Sequence, residues 1–486
     1  MVMTTLDVRP VFYIVGALVT IIAAAMLAPM AVDISAGNPD WVVFATSAAL
    51  TVFFGVLMML MNRTDTVVLN LRQTFLLTSV AWVVVCAFSA LPFMLSRLSL
   101  SAADAFFEAM SGLTTTGSTV IVGLDTLEPG LLLWRSLLQW LGGVGIIAMG
   151  IAILPFLRVG GMQLFRSESS DRSDKVVPRA SDLAVAVAWI YMILTLACTA
   201  ALALAGMNLF DAVNHAMTAV STGGFSTSDA SVGGWKSASI EWILIVFMMA
   251  GGMPLVRFVS LARGDVGPIW RDTQIRWFVG FLVVVSAALA VWVNQALDLP
   301  LLESFRLSAF NVVSVVTTTG YASGDYSLWG PPAVVAFLIL TMVGGCTGST
   351  AGGLKIFRFE VLFMVLRVQL HRLYMPHRVL PLRYNDKPVD ADAMVSVMSF
   401  GFVYVASIFI VALALGAFGL DMITAVSGAA TALGNVGPGL GQIIGPAGNF
   451  QPIPEAAKWV LSLAMLLGRL EFFTVLVLFN RQFWRQ

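Results

Sequence analysis

The chain has 486 residues, of which 58% are hydrophobic and only 11% charged, where a soluble globular protein carries about a quarter charged residues. Its mean hydropathy is +0.89 and its formal net charge is zero, which argues for a membrane and against a nucleic-acid partner. Cys86, Cys198 and Cys346 stand alone in apolar stretches with no paired Cys/His spacing, so neither a zinc site nor a disulfide framework is expected.

In chain order, apolar runs of spanning length are predicted near 11–32, 41–61, 73–95, 132–157, 183–205, 237–262, 277–297, 331–365, 394–416 and 458–480. The first follows MVMTTLDVRP. At about 22 residues it is too long for a signal-peptide core and reads as a span. Ten spans place both termini on one side, and the basic residues choose the side. With the N-terminus cytoplasmic, Arg63, Arg72, Arg158, Arg166, Lys175, Arg263, Arg276, Lys355, Arg372, Arg383 and Arg481 all fall inside. The outer segments hold only Arg97, Lys236, Arg306 and Lys458, with Arg135 just past one. They hold instead acids such as Asp33, Asp104, Asp211, Glu303 and Asp421. An acidic outer face concentrates cations, although positive-inside sorting alone would also leave acids there.

Four outer segments resemble one another. They are DAFFEAMSGLTTTGSTV at 104–120, DAVNHAMTAVSTGGFST at 211–227, ESFRLSAFNVVSVVTTTGYAS at 303–323 and DMITAVSGAATALGNVGPGL at 421–440. Each opens on an acid, runs for about a dozen residues, and closes on two residues and a glycine. The closing triplets are Thr115-Thr116-Gly117, Ser221-Thr222-Gly223, Thr318-Thr319-Gly320 and Asn435-Val436-Gly437. About 12 residues make roughly 18 Å of helix, too short to cross a bilayer, so each segment is expected to dip in and return.

Each unit has an even number of spans, so all four turns enter from the outer face, unlike an inverted repeat. Non-helical backbone at membrane depth is tolerated where it lines an aqueous path. Rings of carbonyl oxygens replace the water shell of a cation without binding it too tightly to leave. Glycine permits the dihedrals that such a ring needs. One TTTG alone is an ordinary turn; four at matching places are a filter. The fourth is the most divergent, since Val436 replaces a threonine and Pro438 follows Gly437. The expected architecture is an all-α membrane protein. Two N-terminal helices (1–70) precede four pseudo-fourfold helix–pore loop–helix repeats at 71–160, 180–265, 272–370 and 390–486, around one pore.

The four glycines, the stretch GGCTGSTAGGLKIFRF at 344–359 and Arg469 resemble the TrkH/KtrB family of potassium transporters, related to fungal Trk and plant HKT proteins. The resemblance runs from about residue 70 to 480, and the two extra leading spans favour the TrkH-like branch. It implies a homodimer in the bacterial inner membrane that passes K⁺ as transported ligand. It also implies a cytosolic TrkA-type regulatory ring that binds the nucleotide (ATP/ADP or NAD). In the family a serine at the first filter glycine goes with sodium, and Gly117 here implies potassium. The sequence departs from the pattern in MAGGMPLVRF, where Met253-Pro254 and Arg257 follow the glycines. No copy carries a full Gly-Tyr-Gly.

Within 343–353, VGGCTGSTAGG, five glycines (Gly344, Gly345, Gly348, Gly352 and Gly353) interrupt the span predicted at 331–365. Each costs about 1 kcal/mol relative to alanine in a helix, so the span is expected to break. Polar Thr347, Ser349 and Thr350 favour a loop in the ion path over close helix packing. Arg469 lies about 14 residues into the last span, roughly 21 Å from its outer end, where an arginine must face polar partners or a cavity. The loop carbonyls are the expected partners, making Arg469 and the loop a gate, with Lys355 closing its cytoplasmic side or merely snorkelling. Glu471, two residues on, points to another helix face.

The basic loops 158–182, 257–276 and 367–392 are candidate docking surfaces, which positive-inside sorting alone would also produce. A gated potassium pore is the favoured reading. The alternative is a proton- or sodium-coupled potassium/sodium symporter with alternating access, for which Glu471 is the acid deep in a span. An enzyme is not expected: His215 falls in an outer short helix, His371 and His377 in a loop, and no Ser/His pair or Asp dyad is placed within the membrane.

Overall fold

Two N-terminal arms, Arg9–Ala25 continued by Leu27–Ser35, and Trp41–Met61, lead the computed structural model, which describes residues 6–64, 69–152, 180–375, 383–385 and 387–485. The arms touch through glycines. A Cβ on Gly16 would lie 2.7 Å from the Gly55 carbonyl oxygen, and one on Gly55 2.6 Å from Thr20 Oγ1, so the backbones meet where larger residues do not fit. Buried Asp33 then accepts from the Gly130 N–H at 2.8 Å. That carboxylate satisfies an orphan donor at the start of the helix Pro129–Ala152 and docks the arms on the first repeat.

Among the described residues, seven helices are long and apolar enough to cross a membrane, or nine if two bent pairs each count as one. The expected span at 331–365 is not one helix. Pro331–Leu340 stops after ten residues and helix resumes only at Ile356–Tyr374, with the five glycines in the gap. Two further breaks correct the expected continuous spans at 237–262 and 458–480. Ala238–Gly252 meets Leu255–Ala262 at 101°, and Glu455–Arg469 meets Phe473–Phe479 at 105°. Pro254 has no N–H to continue the first helix, and the carbonyls of Gly251 and Gly252 turn instead to the glycine-rich loop. At the second break Glu471 and Phe472 take left-handed backbone, φ 57° and 45°, and Glu471 swings out to pair with buried Arg358. The residues 158–179, 376–382 and 386 of the predicted docking loops lie outside the described residues.

Gln73 Nε2 donates to the Asp7 carbonyl at 2.7 Å, and the Phe75 and Phe483 rings lie 5.7 Å apart. Both ends of the chain therefore sit at one end of the molecule. The buried apolar side chains form two large clusters. One joins the N-terminal arms and the first and fourth repeats, through Phe44, Trp134, Phe107, Leu433 and Leu461. The other joins the second and third, through Tyr191, Leu244, Phe278, Phe310 and Phe337. Phe402, Phe409, Ile410 and Leu413 on the helix Ala391–Ala417 stay exposed, as a surface that faces lipid does.

Candidate ion path: four turns and a glycine-rich loop

The short helices are Ala102–Leu113, Leu209–Val220, Leu301–Val316 and Met422–Gly434. Ser101, Asn208 and Asp421 cap three of them by accepting backbone N–H groups of the first turn. All four end alike. The N–H groups of Thr116, Gly223, Thr319 and Val436 reach back five residues to the carbonyls of Ser111, Thr218, Ser314 and Thr431. The residues just before them, Thr115, Thr222, Thr318 and Asn435, are left-handed at φ 53°, 52°, 58° and 53°. This is a Schellman ending; the three threonines adopt it at a cost of about 1–2 kcal/mol each, while asparagine takes it readily. The same ending at four matching places, strained at three of them, marks a built feature.

Two residues after each left-handed position stands a glycine with positive φ: Gly117 (91°), Gly224 (77°), Gly320 (84°) and Gly437 (112°). In the second copy the equivalent triplet is thus Thr222-Gly223-Gly224, one residue later than the sequence pairing Ser221-Thr222-Gly223. The sequence comparison slipped because Gly223 and Gly224 are adjacent and either completes the pattern. The contacts fix the register. A Cβ on Gly117 would lie 2.3 Å from the Gly223 oxygen, on Gly224 1.8 Å from Thr319 O, on Gly320 2.0 Å from Val436 O, and on Gly437 2.9 Å from Thr116 O. Each turn's glycine meets a carbonyl of the next turn, and the fourth contact, of Gly437 with Thr116 O, closes the ring on the first copy. The twelve residues named from sequence come together here, with Gly224 added.

Polar side chains behind the ring hold it. Glu108 accepts from Arg135 Nε at 2.8 Å, Thr119 Oγ1 at 3.0 Å and Val120 N at 2.9 Å. Arg135 also donates to the Ser226 carbonyl at 2.9 Å and lies over Phe225, tying the first copy to the second. Seven residues before the strained position of the second and third copies, the place of Glu108 falls to His215 and Asn311, which bond Ser226 Oγ (3.0 Å) and Ser323 Oγ (2.9 Å). Gln139 clamps the second turn, donating to Gly223 O at 2.6 Å and accepting from Phe225 N at 2.9 Å. Ser118 Oγ donates to Gly437 O at 2.7 Å. Sequence reading passed over these groups because their bonds join residues up to 319 positions apart. The matching polar residue seven places before the first three turns was the available signal; the fourth copy has Gly428 there. Two buried oxygens at the turns, Thr115 Oγ1 and Asn435 Oδ1, have no hydrogen-bond partner.

The glycine-rich loop lies against the underside of the turns. Gly352 N donates to Thr318 Oγ1 at 2.7 Å, and Thr350 Oγ1 to Val220 O at 3.1 Å. The break at 253–254 receives the loop backbone: Cys346 N reaches Gly252 O at 2.8 Å and Thr350 N reaches Gly251 O at 3.1 Å. Arg469 Nη1 donates to Thr350 O at 2.8 Å, while Arg469 Nε and Nη2 are buried with no partner. Lys355 Nζ donates to Ala351 O within the loop. Gly344, Gly345 and Gly353 pack so closely that a Cβ on Gly344 would lie 2.2 Å from Gly352 O. Gly348 O accepts from Leu255 N at 3.0 Å, Ser349 Oγ donates to Cys346 O, and Thr347 N donates to Gln274 Oε1 at 2.6 Å.

A helical multi-span protein with four turns closed about one centre and a loop beneath them is a pore-loop membrane transporter. The chain belongs to the TrkH family of cation transport proteins, whose family model matches residues 41–485. It is 47% identical to the Trk system potassium uptake protein TrkI of Halomonas elongata, over 98% of this chain and 97% of that one. It is 38% identical to the Trk system potassium uptake protein TrkH of Escherichia coli, over 98% and 99%. The crystal structure of the potassium transporter TrkH from Vibrio parahaemolyticus superposes with a TM-score of 0.90 at 35% identity, covering 98% of this chain and 99% of that one. These relatives bear the names of transporters, not enzymes.

Proposed function

We propose that the chain takes up potassium across the bacterial inner membrane through the ring of four turns. The contact ring among Gly117, Gly224, Gly320 and Gly437 carries this reading: it sets peptide oxygens from four copies around one centre, as dehydration of an alkali cation requires. The units 71–160, 180–265, 272–370 and 390–486 each supply one turn. The loop 343–355 and Arg469 form the gate, the fixed charge repelling cations below the ring while its bond to Thr350 O holds the loop in the path. Both termini face the cytoplasm, where a TrkA-type nucleotide-binding ring regulates the gate, and two copies of the chain pair in the membrane.

The test is flux into liposomes holding the purified protein, potassium against sodium. Potassium flux down its gradient with no second ion supports the pore, and absence of potassium flux refutes it. Strict dependence on protons or sodium supports the coupled symporter. In that reading Glu471 is engaged by Arg358, and the buried Glu360 on the helix Ile356–Tyr374 is the acid whose replacement by Gln must abolish coupling.

A further inference from the structure

Besides its bonds to the ring, to Arg469 and to the bend at 251–255, the gate loop is anchored on the third repeat. Gln274, 1% exposed, accepts the Thr347 N–H at 2.6 Å. It stands in the first turn of the helix Thr273–Leu297, the first span of the third repeat. That helix start is itself gripped from two sides. Asp272 caps it, accepting from Gln274 N through Oδ1 at 3.0 Å. Its other oxygen accepts from Arg257 Nε and Nη2, both at 2.9 Å. Arg257 lies on Leu255–Ala262, the arm beyond the 101° bend whose Leu255 N bonds the loop at Gly348 O. On the other side, Thr273 donates both its N–H (2.9 Å) and its Oγ1–H (2.8 Å) to Asn385 Oδ1. Asn385 sits at the left-handed turn, φ 48°, of the hairpin Arg383–Tyr384/Lys387–Pro388.

We infer that the helix start Asp272-Thr273-Gln274 is a relay through which the Arg383–Pro388 hairpin and the Leu255–Ala262 arm position the gate loop. The hairpin lies in the basic segment 367–392, and the bent arm and the helix start lie largely in the basic segment 257–276. A soluble partner that pulls on the hairpin or the arm moves the helix start. Gln274 then leaves Thr347, and the loop loses a buried bond distinct from the one Arg469 makes to Thr350 O. Gln274 is thus a positioning residue, acting on the ion path through the loop backbone. This rests on the gated-pore reading, and the experiment separates the two.

Potassium flux into liposomes is measured for Gln274→Leu, Gln274→Glu, Asn385→Ala and Arg469→Ala, without any partner. Hydrogen exchange is followed in the peptide that carries Thr347. Gln274→Leu removes the acceptor, and leaving one buried N–H unpaired raises flux by roughly tenfold and speeds exchange at Thr347. Gln274→Glu keeps an acceptor oxygen at the same reach, so flux and exchange stay within about twofold of the parent, a readout that a merely space-filling role would not produce. Asn385→Ala, at the surface hairpin, speeds exchange at Thr347 although it does not touch the loop. The relay is overturned if Arg469→Ala raises flux while Gln274→Leu does not, or if Asn385→Ala leaves exchange at Thr347 unchanged. If neither Arg469→Ala nor Gln274→Leu alters flux, the gate reading falls and the relay with it.

Discussion

Gly224→Ala tests the ring more sharply than any other single change. The backbone at Gly224 sits at φ 77°, where an L side chain costs about 1–2 kcal/mol. The steric conflict is larger. The new Cβ would lie 1.8 Å from the Thr319 carbonyl oxygen, and the next nearest atoms are backbone too. Ordinary contact begins at 3.4 Å, so one turn must retreat by about 1.6 Å, whereas ion–oxygen distances tolerate about 0.2 Å. The strain alone depopulates the intact ring by roughly 5- to 30-fold, and the displaced carbonyl removes selectivity from what survives. The assay is potassium and sodium flux in liposomes at matched protein content, with size-exclusion profiles to show that the variant is folded. Gly117→Ala and Gly320→Ala, which meet Gly223 O and Val436 O in the same way, must behave alike. Gly223→Ala meets the Gln139 side chain rather than a neighbouring turn. A Gly224→Ala protein with parental flux and selectivity, beside a Gly223→Ala protein that has lost both, would refute the register assigned here.

Arg469→Ala removes the donor to Thr350 O and the fixed charge, so flux rises at equal expression; unchanged flux contradicts the gate. Thr318→Val deletes the acceptor for Gly352 N and leaves a buried N–H unsatisfied, a cost of about 1–3 kcal/mol that loosens the loop and also raises flux. Glu108→Gln leaves Arg135 buried, 1% exposed, beside a neutral partner. Breaking such a pair costs about 3–5 kcal/mol, expected as a lower unfolding temperature together with weaker discrimination of potassium from sodium. Stability and selectivity both unchanged would show that the pair does not brace the ring.

Much of this arrangement was legible in the sequence because it rests on local chemistry. The short helices are marked by an opening acid, a dozen residues and a glycine turn, features that act over one or two turns of chain. The loop at 343–353 is legible for the same reason, since five glycines in eleven positions cannot stay helical. Arg469 announces itself by the cost of its charge at depth. Other features were not legible. The slip between Gly223 and Gly224 has no cost visible in the sequence; it is settled by the backbone at Thr222 and Gly224 and by the carbonyl of Thr319, 95 residues further on. The bend at 470–472 carries neither glycine nor proline; it exists because Glu471 leaves the helix for Arg358. The bracing by Glu108, Arg135 and Gln139 and the relay at Gln274 are contacts between distant segments.

The amino-acid order by itself thus settled that the chain lives in a membrane, that it repeats a helix–turn unit four times, and where one helix must fail. Hydrophobicity, helix length and glycine's entropy are properties of short stretches and need no knowledge of neighbours. Tertiary structure alone decided which glycine faces which carbonyl, which buried charges meet, and how the loop is tied to the surface. Those depend on which backbones come within contact distance when four separate units close on one axis.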